Sequence, residues 1–436
     1  MDRQLCARAA SAAGFLFAFV LAAGTTHADA PFAFTKVIDQ NAALPGSVTP
    51  PPPFFFEFSP AIDSGHIAFS TSRDFPYHGL FVSDGSSVSR VADRGTALPN
   101  GTGTLGLLNG FTQDGAASVF TSFATDGTFQ GVFRAQNGVL TTVADSNTMF
   151  PSTDGGADAR LGGAFVPSAD GATVAFNAGT NRGQGVYTVA NGSFHTIADR
   201  FTPVPGFAGA FFSAVGPAIV KNGTVAFDGI QFVTASSSIV TGQGIYRASA
   251  VGGGAVTTVV DTNTAKPGGG TFGDLVHTPG DQLYLVDFDG QNTVFYFNHS
   301  DTLYADVDGT IREIAGQDTL VPGTSAPLVP FGTAAIDNGM ILFDASSKAE
   351  PRGIYAWDDG AITRILSVGD VVDGKHVQSY NFDKNSLDGN QFAVTLAFSD
   401  GATGVYRAVV PEPGAIGAIG MAAVALIGRR HRRTIA

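Results

Sequence analysis

Residues 222–261 carry the pattern that decides the fold: NGTVAF at 222–227, GQGIYRAS at 242–249 and VTTVVD at 256–261. The outer two segments have the apolar and β-branched composition of short strands, and the pair Asn222-Gly223 suits a two-residue hairpin turn. The middle segment contains Gly244-Ile245-Tyr246, a glycine followed by an apolar residue and an aromatic one. Since this pattern recurs along most of the chain, the sequence indicates a tandem repeat.

Seven copies of the repeat are visible, and the copy at Leu303 alone lacks the glycine before its apolar and aromatic residues. The aromatic residues of the copies are Phe81, Phe133, Tyr187, Tyr246, Tyr304, Tyr355 and Tyr406. Successive aromatics are 51 to 59 residues apart by subtraction. A period near 50 residues is typical of propeller blades and solenoid units, and each copy supplies about four short strands, the number in a blade.

The two ends of the repeat region favour a closed ring over an open stack. The last copy stops at Val410 without a fourth strand, whereas the segment 34–39 near the N-terminus resembles the fourth strand of the internal copies. An open solenoid would instead carry polar capping units. We therefore predict an all-β, seven-bladed β-propeller of four-stranded blades over residues 32–410, closed by the N-terminal strand pairing into the last blade.

Composition supports this class and argues against several functions. Hydrophobic residues make up 44% of the 436 residues and charged residues only 14%, with 56 glycines and 36 phenylalanines. Without both terminal segments the chain keeps 18 Lys and Arg against 36 Asp and Glu, a balance of −18. Such a surface repels nucleic acid and anionic lipid, so we expect no nucleic-acid partner.

Residues 1–28 have the pattern of a secretory signal peptide. Arg3 and Arg8 precede an apolar run at 12–23, and the small residue Ala28 permits cleavage. The alternative is a membrane-anchoring first helix, for which the apolar run is short. The only cysteine, Cys6, lies in this segment, so the processed protein would contain no disulfide.

Residues 411–436 have three parts that follow directly from Val410. Pro411, Glu412 and Pro413 come first, an apolar run at 414–428 follows, and a basic end closes the chain with Arg429, Arg430, Arg432 and Arg433. This ending resembles the PEP-CTERM sorting signal of Gram-negative bacteria. The resemblance implies export across the inner membrane, transient membrane insertion of the apolar helix, and removal of the tail by an exosortase. The alternative is an ordinary tail anchor.

The repeats also resemble a bacterial family with tandem NxxGxxAF-type repeats. Segments 169–176, 220–227 and 336–343 carry that pattern. The copies ending at Gly316 and Ser367 depart from it, because they lose the aspartate that ends the others. The family implies no defined activity, so this resemblance bears on architecture.

No motif in the sequence identifies a catalytic or cofactor-binding residue. The segments 101–106 and 268–273 match GxGxxG, but a dinucleotide site needs that motif between a strand and a helix, so we interpret both as loops between blades. The histidines form no HExxH pair for zinc, and no GxSxG nucleophile elbow occurs. A pair of catalytic carboxylates drawn from different blades stays open.

Two groups of acidic residues are candidates for calcium, since carboxylate oxygens suit hard cations. The first ends repeat copies, at Asp39, Asp93, Asp145, Asp199 and Asp261. The second resembles fragments of calcium loops, at Asp287, Asp289, Asn292, Asp306 and Asp308. For both groups we favour a structural role, in which the side chains accept backbone N–H groups of turns. No other cofactor is expected.

Two functional hypotheses follow. The first is an exported, surface-associated or extracellular protein that serves as a non-catalytic binding or structural scaffold in an exopolysaccharide or biofilm matrix. Its partners would be the secretion machinery, an exosortase and extracellular polysaccharide. The second is a secreted propeller hydrolase or lyase that acts on glycans or lactones through carboxylates in the central channel.

Overall fold

The computed structural model describes residues 32–46, 54–72, 78–99, 103–125, 130–232, 240–276, 281–298 and 300–410. Within these ranges the regular structure is 33 β-strands and one 3₁₀ turn, Phe272–Leu275. The strands form seven antiparallel sheets, which are the blades of a propeller. In each blade we letter the strands A to D from the innermost to the outermost. In the described part of the chain, no apolar helix reaches the length that a membrane crossing requires.

The first three blades follow the chain in order. Blade 1 contains β2 (Phe55–Phe56), β3 (Ala61–Asp63), β4 (His66–Ser72), β5 (Gly79–Ser83) and β6 (Val88–Asp93). Blade 2 contains β7 (Leu105–Asp114), β8 (Ala117–Ala124), β9 (Gln130–Gln136) and β10 (Val139–Asp145). Blade 3 contains β11 (Met149–Phe150), β12 (Ala159–Ala164), β13 (Ser168–Asp170), β14 (Thr173–Thr180), β15 (Gly183–Ala190) and β16 (Ser193–Asp199).

Blades 4 to 6 have four strands each. Blade 4 contains β17 (Phe211–Lys221), β18 (Thr224–Phe232), β19 (Val240–Ser249) and β20 (Thr257–Asp261). Blade 5 contains β21 (Leu283–Phe288), β22 (Thr293–Phe297), β23 (Thr302–Val307) and β24 (Thr310–Ala315). Blade 6 contains β25 (Val329–Asp337), β26 (Met340–Ser346), β27 (Gly353–Asp358) and β28 (Ala361–Ser367).

Blade 7 combines the two ends of the repeat region. It contains β29 (Val371–Val372), β30 (Lys375–Asn381), β31 (Leu387–Asp388), β32 (Gln391–Phe398), β33 (Thr403–Val409) and, as strand D, β1 (Phe34–Asp39). β1 pairs antiparallel with β33 from Phe34 opposite Ala408 to Asp39 opposite Gly404. The predicted seven blades and their closure by the N-terminal strand are thus confirmed.

The repeated aromatic residue packs against an aromatic of the neighbouring strand B. Phe227 lies directly opposite Tyr246, with ring centroids 5.9 Å apart. Phe343 and Tyr355 are paired in the same way at 5.7 Å. Such aromatic pairs bury large apolar surface and favour one register of the two strands. The pairing explains why an aromatic residue recurs once in each repeat.

The repeated glycine is required by close contacts. A Cβ atom at Gly244 would lie 2.7 Å from the carbonyl oxygen of Val260 on strand D and 2.8 Å from Tyr246 Oη. In blade 7 a Cβ at Gly404 would lie 2.9 Å from the carbonyl oxygen of Ile38. The N-terminal strand therefore makes the same approach to strand C as the local strand D of an internal blade.

Blade 5 shows why its copy lacks the glycine. Leu303 lies opposite Ala315, which places Thr302 across from Gly316. In the other blades this pair is formed by the glycine of strand C and an aspartate or serine of strand D, for example Gly244 with Asp261. In blade 5 the glycine is therefore on strand D and the larger residue is on strand C, the reverse of the other blades. The missing glycine of strand C and the missing aspartate of strand D thus compensate each other.

The A–B hairpins confirm the predicted two-residue turns. Asn222 and Gly223 have φ values of 51° and 71°, as a type I′ turn requires. In the Asp-Gly turns of blades 2, 3 and 7, the aspartate is the last residue of strand A and the glycine comes first in the turn, as at Asp170 and Gly171. This one-residue difference fixes where the aspartate side chains lie. Blade 5 differs, because its Asp289 lies within a longer turn after Phe288.

The seam between the two chain ends is packed like the other blade boundaries. Ile38 of β1 belongs to one buried apolar cluster with Phe54 and Phe69 of the first repeat and Val405 of blade 7. The innermost strands also form a complete circle of contacts, in the order β3, β7, β13, β17, β21, β25, β31 and back to β3. The ring is closed both at its outer sheets and around its axis.

Candidate functional site

The axial channel brings side chains from all seven blades together. A cavity of about 160 Å³ lies on the axis near the ends of the A strands. Its charged residues are Asp63, Asp114, Asp170, Lys221, Asp287, Asp337 and Lys384. We call this end, where strand A turns into strand B, the lower mouth, and the opposite end the upper mouth.

Most aspartates of the lower mouth bind the backbone of the next blade. Asp170 Oδ2 accepts the N–H of Asn222 in the blade 4 turn at 2.7 Å, and Asp337 Oδ2 accepts that of Gly389 in the blade 7 turn at 2.7 Å. The same bond joins Asp63 to Gly115, Asp114 to Gly171 and Asp289 to Gly339. Charge-assisted bonds of this kind are stronger than neutral ones, so these aspartates fasten five of the seven blades to the blade that follows.

This ring of aspartates is not among the features predicted from the sequence, although the sequence contains a signal for it. The residue before each A–B turn is acidic in five of the seven blades: Asp63, Asp114, Asp170, Asp337 and Asp388. In blade 4 the same position is Lys221, and in blade 5 it is Phe288. The common spacing from the turn would have predicted acidic residues around one mouth.

A loop of blade 7 closes the channel above the cavity. Residues 382–386 interrupt strand A between β30 and β31. Within this loop, the Asn385 carbonyl accepts the N–H of Ile62 at 2.8 Å, and Ser386 Oγ donates to the Pro60 carbonyl at 2.7 Å. Thr112 of blade 2 contacts Asn385 Oδ1 at 3.3 Å. These contacts fix the loop across the axis, so it acts as a plug.

The plug carries a lysine into a group of buried carboxylates. Lys384 Nζ is buried and forms no hydrogen bond with the described residues. Burial lowers the pKa of Lys384, while the charges of Asp287, Asp383 and Asp228 oppose that shift. Burial raises the pKa of Asp287 to about 8, of Asp228 to about 7 and of Asp383 to about 6. Perturbed groups beside a cavity are a common property of functional sites, and also of structural ion networks.

The upper mouth carries an exposed arginine between two aromatic rings. The Arg352 guanidinium lies 4.9 Å from the ring centre of Phe331 on strand A of blade 6 and 5.6 Å from that of Tyr380 on strand A of blade 7. Asp344, which is 1% exposed, accepts Arg352 Nε at 2.9 Å and the hydroxyl of Tyr380 at 2.7 Å. Phe331 is 47% exposed, so a fixed cation and an aromatic face meet solvent together.

A wider groove at the surface carries few reactive side chains. It holds about 640 Å³ between the outer parts of blades 3 and 4, and is lined mainly by proline, glycine and threonine residues such as Pro203, Thr196 and Gly253. His195 is the one titratable side chain among its lining residues in the described part of the chain. The axial channel is therefore the candidate site.

The aspartates that end strand D are structural, as favoured from the sequence. In blade 4, Asp261 Oδ1 accepts the N–H of Asn263 and the hydroxyl of Thr264, both at 2.9 Å, while Thr264 Oγ1 accepts the N–H of Asp261. The equivalent turn bond is present at Asp39, Asp93, Asp145 and Asp199. These carboxylates order the loops that lead to the next blade.

The five weak metal candidates are divided among three places. Asp289, Asn292 and Asp308 form one hydrogen-bonded network, in which Asn292 Nδ2 donates to Asp289 Oδ2 at 2.9 Å and the Asp308 N–H donates to Asn292 Oδ1 at 3.0 Å. Asp306 pairs with Arg247 at 3.1 Å, and Asp287 lies in the axial channel. In the described ranges, no group of three or more His, Cys, Asp or Glu side chains is arranged to hold a metal ion.

Several predicted features lie outside the described residues: the signal peptide, the sorting residues Pro411, Glu412, Pro413, Arg429, Arg430, Arg432 and Arg433, and the apolar run at 414–428. Val410 is described, and it is buried in the core of blade 7 with its N–H bonded to the Asn390 carbonyl at 2.8 Å. The second GxGxxG segment is a loop between blades 4 and 5 that ends in the 3₁₀ turn.

These observations define the class: a seven-bladed β-propeller with an N-terminal closing strand and a plugged, acidic axial channel. The chain belongs to the family of unknown function DUF7453, whose model matches residues 28–416. No curated protein matches the sequence.

Two solved structures illustrate the similarity to other propellers. The β-propeller domain of the Trilobed protease from Pyrococcus furiosus shares 11% identity with a TM-score of 0.47, and the match covers 82% of this chain and 96% of that one. The acylaminoacyl peptidase of Pyrococcus horikoshii shares 12% identity with a TM-score of 0.43, over 83% of this chain and 53% of the peptidase. The chain thus spans about half the length of that peptidase.

The clamp formed by Asp170 can be tested by separating its charge from its hydrogen bond. Asp170→Ala leaves the Asn222 N–H without its acceptor, so we expect the free energy of unfolding to fall by about 1–3 kcal/mol. Asp170→Asn keeps an acceptor and should remain much closer to the wild type. Denaturant titration measures both, with Asp158→Ala, at an exposed aspartate, as the control. Equal losses for the alanine and asparagine variants would contradict the clamp.

Stability should fall as pH rises through the neutral range. The folded-state pKa values of Asp287 and Asp228, about 8 and about 7, lie above the unfolded value of about 3.9. The folded state therefore binds more protons between these limits, and its stability decreases with rising pH in that window. Thermal melts from pH 5 to 8 should show this decrease, and Asp287→Asn should make it shallower. An unchanged slope in that variant would exclude Asp287 as a source.

Proposed function

We propose that this protein is an exported, non-catalytic binding or structural scaffold of the cell surface or the extracellular polysaccharide matrix of a Gram-negative bacterium. The location outside the cell is inferred from the two termini, which have the patterns of a signal peptide at 1–28 and of an exosortase substrate at the C-terminal end. The secretion machinery and an exosortase would then be its partners during export. The acidic balance of the chain fits a protein that stays soluble outside the cell.

The observation that carries the non-catalytic assignment is the use of the channel carboxylates. Asp63, Asp114, Asp170 and Asp337 each give an oxygen to a backbone N–H of the next blade, and both oxygens of Asp287 accept backbone N–H groups. The cavity of about 160 Å³ is also below the roughly 300–1,000 Å³ of ordinary ligand pockets. These carboxylates serve the architecture of the ring.

A binding role has a suitable surface at the upper mouth. Exposed aromatic side chains occur along strand A of five blades, at Phe55, Phe165, Phe211, Tyr284 and Phe331. Phe165 and Tyr284 occupy equivalent positions in their blades. Each lies across from the residue that follows the buried aromatic of strand B, namely Asn177 and Tyr296. Arg352 adds a fixed donor beside Phe331. Aromatic faces pack well against the apolar faces of sugar rings, and a guanidinium binds carboxylate or hydroxyl oxygens.

One observation favours the second candidate, a secreted hydrolase or lyase for glycans or lactones. The raised pKa values of Asp228, Asp287 and Asp383 next to Lys384 are the kind of perturbation that acid–base catalysis uses. A general acid must reach its substrate, whereas Asp228 and Asp287 are buried beneath the plug. Turnover of a polysaccharide that Asp287→Asn abolishes would establish this candidate over the scaffold.

The scaffold can be tested in a Gram-negative host that has an exosortase. The secreted protein should lack residues 1–28 and the basic tail by intact mass, and part of it should sediment with extracellular polysaccharide. Phe331→Ala should lower that retention roughly 3- to 10-fold, because it removes the aromatic face beside Arg352. Phe194→Ala, at a partly exposed phenylalanine on an outermost strand, is the matched control.

The outcomes separate the parts of the proposal. An intact tail containing Arg429–Arg433 on the secreted protein would contradict processing. Retention that is equal in Phe331→Ala and the control would contradict the upper mouth as the binding surface. A protein that is processed but never retained would contradict the matrix scaffold itself.

A further inference from the structure

One residue interrupts the acidic series at the lower mouth. At the last position of strand A, blades 1, 2, 3, 6 and 7 carry aspartate, blade 5 carries a phenylalanine, and blade 4 carries Lys221. Lys221 is thus the one cation at this position of the ring. Its side chain lines the axial cavity together with Asp63, Asp170 and Asp337.

The same three aspartates each use only one carboxylate oxygen for the clamp to the next blade. Their Oδ2 atoms bind backbone N–H groups of Gly115, Asn222 and Gly389, as described above. Their Oδ1 atoms form no hydrogen bond with the described residues. Carboxylates gathered around one axis repel each other, and the energy of that repulsion grows as solvent is excluded. The lower mouth therefore requires positive charge near its centre.

Lys221 is placed to supply that charge. Burial alone would lower the pKa of Lys221, but the carboxylates of Asp337, Asp63, Asp170 and Asp287 together raise it. The ammonium forms no direct ion pair with a described carboxylate, so it does not belong to one partner alone. A second ammonium, Lys384 Nζ, borders the same cavity, buried and without a hydrogen bond.

We propose that the lower mouth is a cation site that two lysines of the chain itself occupy, with the Lys221 ammonium on the axis and the Lys384 ammonium above it, on the side of the plug. The ring of aspartate clamps then needs no metal ion in the natural protein. The cavity of about 160 Å³ has room for several waters at about 30 Å³ each, which join the ammonium groups to the free Oδ1 atoms. If Lys221 is removed, a hydrated divalent cation such as Ca²⁺ takes its place, because oxygen ligands and bound waters suit that ion.

The test compares two lysine variants that change net charge equally. Lys221→Met keeps the apolar stem and removes the axial charge, whereas Lys375→Met removes an exposed lysine that pairs with Asp400 at 2.8 Å. In a chelator, we expect the melting temperature of Lys221→Met to lie at least about 3 °C below that of Lys375→Met. Added Ca²⁺ at millimolar concentration should restore at least about half of the difference. The wild type and Lys375→Met should not respond to Ca²⁺.

Two further variants guard against a trivial packing effect. Lys221→Arg restores the charge and should melt close to the wild type without Ca²⁺. The double variant Lys221→Met with Asp63→Asn lowers the negative charge and should melt above Lys221→Met. The proposal is overturned if Lys221→Met is as stable as Lys375→Met, or if it is destabilised but insensitive to both Ca²⁺ and the Asp63→Asn change. A wild-type protein that is stabilised by Ca²⁺ would also overturn it.

Discussion

The pairing of β1 with β33 is the constraint on which the ring depends. In six blades, strand D follows strand C through a short loop, so their pairing is local. In blade 7 the same contact joins residues near opposite ends of the repeat region, with Asp39 opposite Gly404. Such a contact has a large loop-closure entropy, because it joins residues that are far apart in the sequence. The close approach of Gly404 to the Ile38 carbonyl nevertheless shows that strands C and D are spaced at the seam as they are in the internal blades.

A second set of interactions between blades lies around the axis. The aspartate clamps connect the turn of one blade to strand A of the previous one, and they use charge in a place where few waters compete. These bonds between blades account for the acidic residues of the channel. The clamps also concentrate negative charge, and the ammonium groups of Lys221 and Lys384 lie where they can offset it. The exposed chemistry is at the other mouth, around Arg352.

Features that repeat within one copy could be predicted from the sequence. The recurring aromatic residue, the Asn222-Gly223 turn and the incomplete last copy depend on local pattern, so they indicated the blade count and the closure directly. The clamp between Asp170 and Asn222 could not be predicted with the same ease, because it joins residues of neighbouring repeats and depends on the exact end of strand A. The compensation between Thr302 and Gly316 likewise requires the C–D register.

The plug could not be predicted from the sequence, for a different reason. Residues 382–386 interrupt strand A, which is also interrupted in blades 1 and 3, and nothing in their composition says that they cross the axis. The Arg352 site is formed by two neighbouring blades, which bring Phe331 and Tyr380 to one guanidinium. Sites of this kind arise from the arrangement of the blades, and the repeat pattern shows only that the blades exist.

Ring closure is tested most directly by a disulfide between Thr35→Cys and Arg407→Cys, which lie opposite each other in β1 and β33. Residues so paired have Cα atoms about 4.5–5.5 Å apart, within the range that a disulfide spans. With Cys6 replaced by serine, so that no other cysteine is present, oxidation should give one intramolecular disulfide that forms readily in the folded state and raises the melting temperature. Two free thiols in the folded, oxidised protein would show that the N-terminal strand lies elsewhere and that the ring is open.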